Sequence, residues 1–192
     1  AGRLAAVELA VEVRAVRVFG RARANLLQLF LRVAGVVIGA EERAGLFQVA
    51  ELDPELTIIK PTVFMNRSGK AVKSFLDCQE LTPQHLLVVC DDVNLDLGTL
   101  RLRGSGSHGG HNGLRNIINC LESDDFPRLR MGVGPPQGGI DLADFVLGEI
   151  PRSVEEDASV MACRAADCIQ LFYEEGLSSA QQVYNRRPDS GS

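Results

Sequence analysis

Leu86-Leu87-Val88-Val89-Cys90 is an unbroken apolar run that stops abruptly at Asp91-Asp92. A short continuous run ending in such polar residues has the pattern of a strand buried on both faces. Upstream of it, Leu56 to Lys60 forms another short strand, stopped by Pro61. Downstream, Gly98 to Arg103 and Arg128 to Gly134 read as strands, and Val7 to Arg14 alternates with the period of one. Ser68 to Leu76, Leu114 to Leu121 and Val154 to Glu175 carry helical spacing, the last ended by Gly176. Asn25 to Val37 reads as a helix running into a strand, and Leu142 to Val146 begins a short element. Strands alternating with helices predict an α/β fold: a single domain with a central mixed, twisted β-sheet flanked by helices.

Composition narrows the function classes. The chain has 192 residues, 45% hydrophobic and 23% charged, as expected of a globular domain with a substantial core. No apolar run approaches the roughly 18–20 residues of a spanning helix, and the first residues lack the pattern of a secretory signal. The formal charge of −5 argues against indiscriminate binding of nucleic acid. A local basic patch is still compatible with it, because phosphate contacts act within about 8–10 Å. The five cysteines are scattered, with no Cys-x-x-Cys pair, so neither a zinc site nor a redox motif has its spacing. Cys90 and Cys120 read as small buried hydrophobes, and a reducing compartment, most simply the cytoplasm, follows.

Residues 1–50 have a texture of their own. They contain no Ser, Thr, Asp, Lys, Pro or His, the types that usually build caps and turns. From about Asp53 onward the composition is that of an ordinary globular protein.

Three clusters lie where regular elements meet loops. In Phe64-Met65-Asn66-Arg67-Ser68-Gly69-Lys70, Ser68 reads as a helix N-cap and Asn66 as a loop residue with its amide available. Asp91-Asp92-Val93-Asn94-Leu95-Asp96 follows the buried strand, at the strand end where α/β sheets bind ligands. A calcium loop does not fit there, since its glycine is displaced to Gly98 and Arg103 stands where the closing Glu belongs; a solvated acidic turn remains the alternative. The third cluster, Gly104-Ser105-Gly106-Ser107-His108-Gly109-Gly110-His111-Asn112-Gly113, precedes a helix. Its glycines permit close backbone approach to a ligand, but it lacks the Gly-Lys-Ser/Thr ending of a P-loop. His108 and His111 have no third metal ligand near them in sequence, so no metal is assigned.

Taken in order, these segments resemble the signatures of the bacterial-type peptidyl-tRNA hydrolase family. Lys60 to Val72 is similar to the first, Leu87 to Asp92 with Leu95 to Gly98 to the second, and Gly109 to Arg115 to the third. Phe126 to Gly134 and Phe145 to Gly148 match downstream signatures, so the resemblance covers about residues 55 to 185. It implies a monomeric α/β enzyme that hydrolyses the ester joining peptide to tRNA, without metal or organic cofactor. By the same resemblance Asn66 would position the attacked carbonyl or the water, and Asp91 would orient a catalytic histidine. Asn112 would bind through its amide, with His111 lining the cleft as a further catalytic group. Phe64 would contact the tRNA end, and Met65, Gly110 and Arg115 would join Asn66 and Asn112 in binding substrate or tRNA.

One family feature is missing. The N-terminal Thr-Arg-His-Asn segment and its preceding glycine-rich loop have no counterpart, and no histidine precedes His85. The usual spacing falls near Val18 and Phe19, which cannot carry a proton. Three readings stay open: residues 1–50 are not the natural sequence, the chain binds tRNA or another RNA without cleaving it, or His108 or His111 serves as base. The binding reading expects salt-sensitive affinity carried by Lys70, Arg101, Arg103, Arg115 and Arg130.

Overall fold

The computed structural model describes residues 7–11, 42–43, 46–53, 56–61, 65–135 and 151–186. The elements expected over Asn25 to Val37 and Leu142 to Val146 lie outside them, as does Phe64. Chain contacts divide the chain into two compact units, and the described residues of 1–18, 36–90 and 104–128 fall in the first, those of 91–103 and 129–192 in the second.

The first unit carries a mixed sheet. Its strands are β1 (Val7–Val11), β2 (Glu42–Arg43), β3 (Phe47–Asp53), β4 (Leu56–Pro61) and the body of β5 (Leu86–Asp92). They run in the order β2-β3-β4-β1-β5. β2, β3 and β4 pair antiparallel, whereas β1 lies parallel to both β4 and β5. The atypical N-terminal segment thus supplies an inner strand, Leu9 facing Ile58 on one side and Leu87 on the other. Leu86 to Cys90 are all buried, as the apolar run predicts.

Two helices complete this unit: α1 (Ser68–Cys78) and α2 (Asn112–Leu121). α1 buries Ala71, Val72, Phe75 and Leu76, the helical stripe expected. α2 buries Gly113, Leu114 and Ile117 and packs on α1. Their apolar faces meet Ile59, Leu86, Val88 and Phe126 in one core. Each large aliphatic or aromatic side chain fully buried there contributes roughly 1.5–3 kcal/mol.

The second unit holds β6 (Leu100–Arg103) beside β7 (Arg128–Gly132), with α3 (Glu155–Glu175) and α4 (Leu177–Tyr184). Glu155, Glu156 and Asp157 occupy the first turn of α3, where the helix dipole favours negative charge. α4 packs on β6. Just past it, Asn185 pairs with β6 much as another strand would: Leu102 N–H donates to its Oδ1 at 2.6 Å, and its Nδ2 donates to the Leu102 carbonyl at 3.0 Å.

The α/β class and the mixed sheet agree with the sequence reading. The β2–β3 pairing and α4 add to it. Ser68 is not the cap of α1: Arg67 holds that position without a capping side-chain bond, and Ser68 is buried in the first turn.

Candidate active site

Within the first unit, Asn66 sits in a single 3-10 turn (Met65–Arg67) that leads into α1, not in an open loop. It is exposed, as are Arg67 and Lys70 beside it. This turn packs against α2, the helix whose start carries His111 and Asn112. Two of the sequence-predicted segments are therefore brought together: the Asn66 turn and the end of the glycine-rich loop.

That loop is held by specific bonds. Gly109 and Gly110 both have positive φ, 57° and 86°, a conformation that side-chain-bearing residues rarely adopt. Gly110 N–H donates to His108 Nδ1 at 3.0 Å, and His111 N–H donates to the His108 carbonyl at 3.0 Å. His111 then caps α2, its Nδ1 accepting from Leu114 N–H at 3.1 Å, so the helix begins at Asn112, two residues before the sequence reading. Asn112 and Arg115 are exposed on its first turns.

The chemistry of the two loop imidazoles follows from these bonds. In each, the Nδ1 lone pair accepts from a backbone N–H, so the neutral ring carries its proton on Nε2. With Nδ1 of both rings engaged by the backbone, any further chemistry of either ring runs through Nε2.

A buried arginine braces the loop from behind. Arg128 is 1% exposed. Its guanidinium donates to the carbonyls of Gly106, Asp124 (2.6 Å) and Phe126 (3.0 Å) and lies 4.3 Å from the Phe126 ring centroid. Nothing in the sequence pattern distinguishes it from a surface arginine.

In the second unit, Asp91 at the end of β5 is half-buried, and Asp92 next to it is buried. Asp92 accepts from Arg130 Nη1 at 2.9 Å and from Asn94 N–H at 2.9 Å. Burial alone would push its carboxyl up, but the Arg130 bond and charge, together with Asn94, hold it below the usual carboxylate range. The turn is thus an internally paired structure rather than a solvated acidic loop, and Arg130 is engaged with Asp92 instead of serving as an open phosphate contact. The following turn is pressed onto Gly132, where a Cβ would fall on the Asp96 carbonyl and lie 2.9 Å from Leu95 Cβ. Arg101 and Arg103 are exposed on β6.

Cysteine chemistry has little support here. Burial pushes the Cys168 thiol up to about 12, with Arg164 opposing. Cys90 is buried as expected, and Cys120 is half-buried against α1. Among the described residues no group of three or more His, Cys, Asp or Glu is placed to hold a metal ion.

Comparisons with known proteins agree with these features. A family model described as peptidyl-tRNA hydrolase matches residues 28–191. Its match starts upstream of residue 55, where the signatures begin, and downstream of Val18 and Phe19. The peptidyl-tRNA hydrolase of Synechococcus sp. (strain JA-3-3Ab) is 44% identical over 134 residues, covering 70% of this chain and 60% of that protein. That of Alkaliphilus oremlandii (strain OhILAs) is 38% identical over 133 residues, 68% of this chain and 70% of its own length. The crystal structure of peptidyl-tRNA hydrolase from Acinetobacter baumannii shares the fold, with a TM-score of 0.79 at 23% identity over 95% of each chain. By sequence and by fold, the chain belongs to the peptidyl-tRNA hydrolase family.

Proposed function

We propose that this protein hydrolyses the ester bond between peptide and tRNA in peptidyl-tRNA, releasing free tRNA. Family membership across most of the chain carries the reading. The packing of the Asn66 turn against the helix that starts at Asn112 supports it.

The proposed chemistry uses donors more than charge. Asn66 and Asn112 bind the substrate through their amides and hold the ester carbonyl and the attacking water. His111, with its proton on Nε2, donates to the oxyanion as the tetrahedral intermediate forms. Asp91 is the carboxylate assigned to accepting the proton of the attacking water, which then passes to the departing ribose oxygen of the tRNA. Phe64, Met65, Gly110 and Arg115 contact the tRNA end, with Lys70 as a further phosphate partner. The protein works as a single-domain monomer in the cytoplasm, without metal or organic cofactor. No helix among the described residues is long and apolar enough to cross a membrane.

The experiment is cleavage of a peptidyl-tRNA by the purified chain beside Asn66→Ala and Asp91→Ala. Removing an oxyanion donor lowers kcat by about 10²–10³, and disabling the base lowers it by about 10²–10⁴. Tight tRNA binding with no turnover in the parent chain would make the protein an RNA-binding relative instead.

A further inference from the structure

Helix α1 starts without a side-chain cap of its own, since Arg67 at the N-cap makes no capping bond. The first turn of any helix carries N–H groups that have no partner within the helix. One of these, the N–H of Gly69, donates at 2.7 Å to Oδ1 of Asn116, 47 residues further along the chain. The cap of α1 is therefore supplied by α2.

The same crossing is unusually close. A Cβ on Gly69 would fall on the backbone carbonyl of Asn116 and lie 2.8 Å from Cys120 Sγ. Glycine lets the two helices approach, and the Asn116 side chain bonds across the gap. Asn66 lies three residues before Gly69, and Asn112 lies about one helical turn before Asn116. The two amides assigned to substrate thus belong to two segments joined at one point.

We infer that Asn116 is a positioning residue for the proposed hydrolysis. Its Oδ1 fixes the start of α1 against α2 and thereby sets Asn66 relative to Asn112. The inference rests on the functional reading given above. Asn116 acts through the Gly69 backbone, without touching substrate. Displacing a reacting group by about 1 Å costs on the order of 10²-fold in rate, so a loosened crossing is felt in kcat.

The test compares the full chain with Asn116→Ala and Asn116→Asp on a peptidyl-tRNA carrying an N-blocked aminoacyl ester. Gly69 amide exchange is followed in the same samples. The aspartate keeps an acceptor oxygen in place and puts negative charge at a helix N-terminus, where it is favourable. The expected result is a kcat about tenfold or more lower in Asn116→Ala, with KM changed less than about twofold and faster Gly69 exchange. Asn116→Asp should retain kcat within about threefold and keep the amide protected. Asn119→Ala, at an exposed position of the same helix, should move neither. If Asn116→Ala does not stay folded at the assay temperature, Asn116→Ser, whose hydroxyl is too short to span the gap, carries the comparison. Unchanged kcat despite faster Gly69 exchange would overturn the inference, as would equal impairment of the alanine and aspartate variants. Absence of turnover in the parent chain would instead overturn the hydrolase reading, and the inference with it.

Discussion

Arg130 Nη1 donates to Asp92 Oδ2 at 2.9 Å, with the two side chains only 12% and 7% exposed. The pair closes the turn that follows β5 and couples it to β7 within the same unit. Removing one partner leaves the other charged, largely buried and less well satisfied. Charge-assisted hydrogen bonds of this kind contribute about 1.5–3 kcal/mol. Arg130→Met should therefore lower the unfolding free energy by about that amount in urea titrations. A loss below about 0.5 kcal/mol would mean that the pair behaves like a surface ion pair.

The same pair sets a pH dependence. The folded-state pKa of Asp92 lies below its unfolded value, so its contribution is fully present above the unfolded pKa, near 4. It is lost as pH falls from there through the folded-state pKa. The stability gap between the parent chain and Asp92→Asn should thus be widest at neutral pH and shrink below about pH 4. A gap that stays constant from pH 7 to pH 2 would contradict this origin.

Gly69→Ala should destabilise the chain by about 1–3 kcal/mol through overpacking where α1 meets α2. Because the backbone carbonyl of Asn116 and Cys120 Sγ both obstruct a Cβ, trimming Cys120 to Ala should recover only part of the loss. Full recovery in the double variant would show that the thiol alone sets the spacing.

Arg128→Met removes donors from the carbonyls of Gly106, Asp124 and Phe126. The expected cost is about 2 kcal/mol or more, with faster proteolysis within Gly104 to Gly110. Arg128→Lys should rescue little, since one ammonium cannot reproduce a planar fork that reaches three carbonyls. Wild-type proteolysis rates in Arg128→Met would show that the loop is held by other means.

His111 combines a structural and a chemical role, which one pair of variants separates. His111→Ala loses the α2 cap and should cost about 1 kcal/mol, whereas His111→Asn keeps a good capping side chain and the stability. Both should lose turnover if the imidazole Nε2–H serves the reaction. Retained activity in the stable His111→Asn variant would assign His111 to the cap alone.

How legible each feature was depended on how local its cause is. β5 and the buried stripe of α1 were readable because hydrophobic burial writes itself directly into residue order. The β2–β3 pairing was not, because the segment before residue 51 lacks the turn-forming residues that punctuate strands. Around the candidate site, glycines 109 and 110 were legible as part of a loop that permits close backbone approach, yet the cap made by His111 was not, since histidine is not among the usual capping residues. Asn116, Arg128 and the Asp92–Arg130 pair depend on partners brought near by folding. Arg130 looked like a phosphate contact because sequence alone could not show Asp92 occupying its guanidinium.

The most direct measurement is single-turnover cleavage of a peptidyl-tRNA by the unmodified chain, followed by release of free peptide and deacylated tRNA. Cleavage is expected well above the uncatalysed rate, falling about 10²–10³-fold in Asn66→Ala while tRNA is still bound. Saturable tRNA binding with no release of peptide would contradict the proposed hydrolysis.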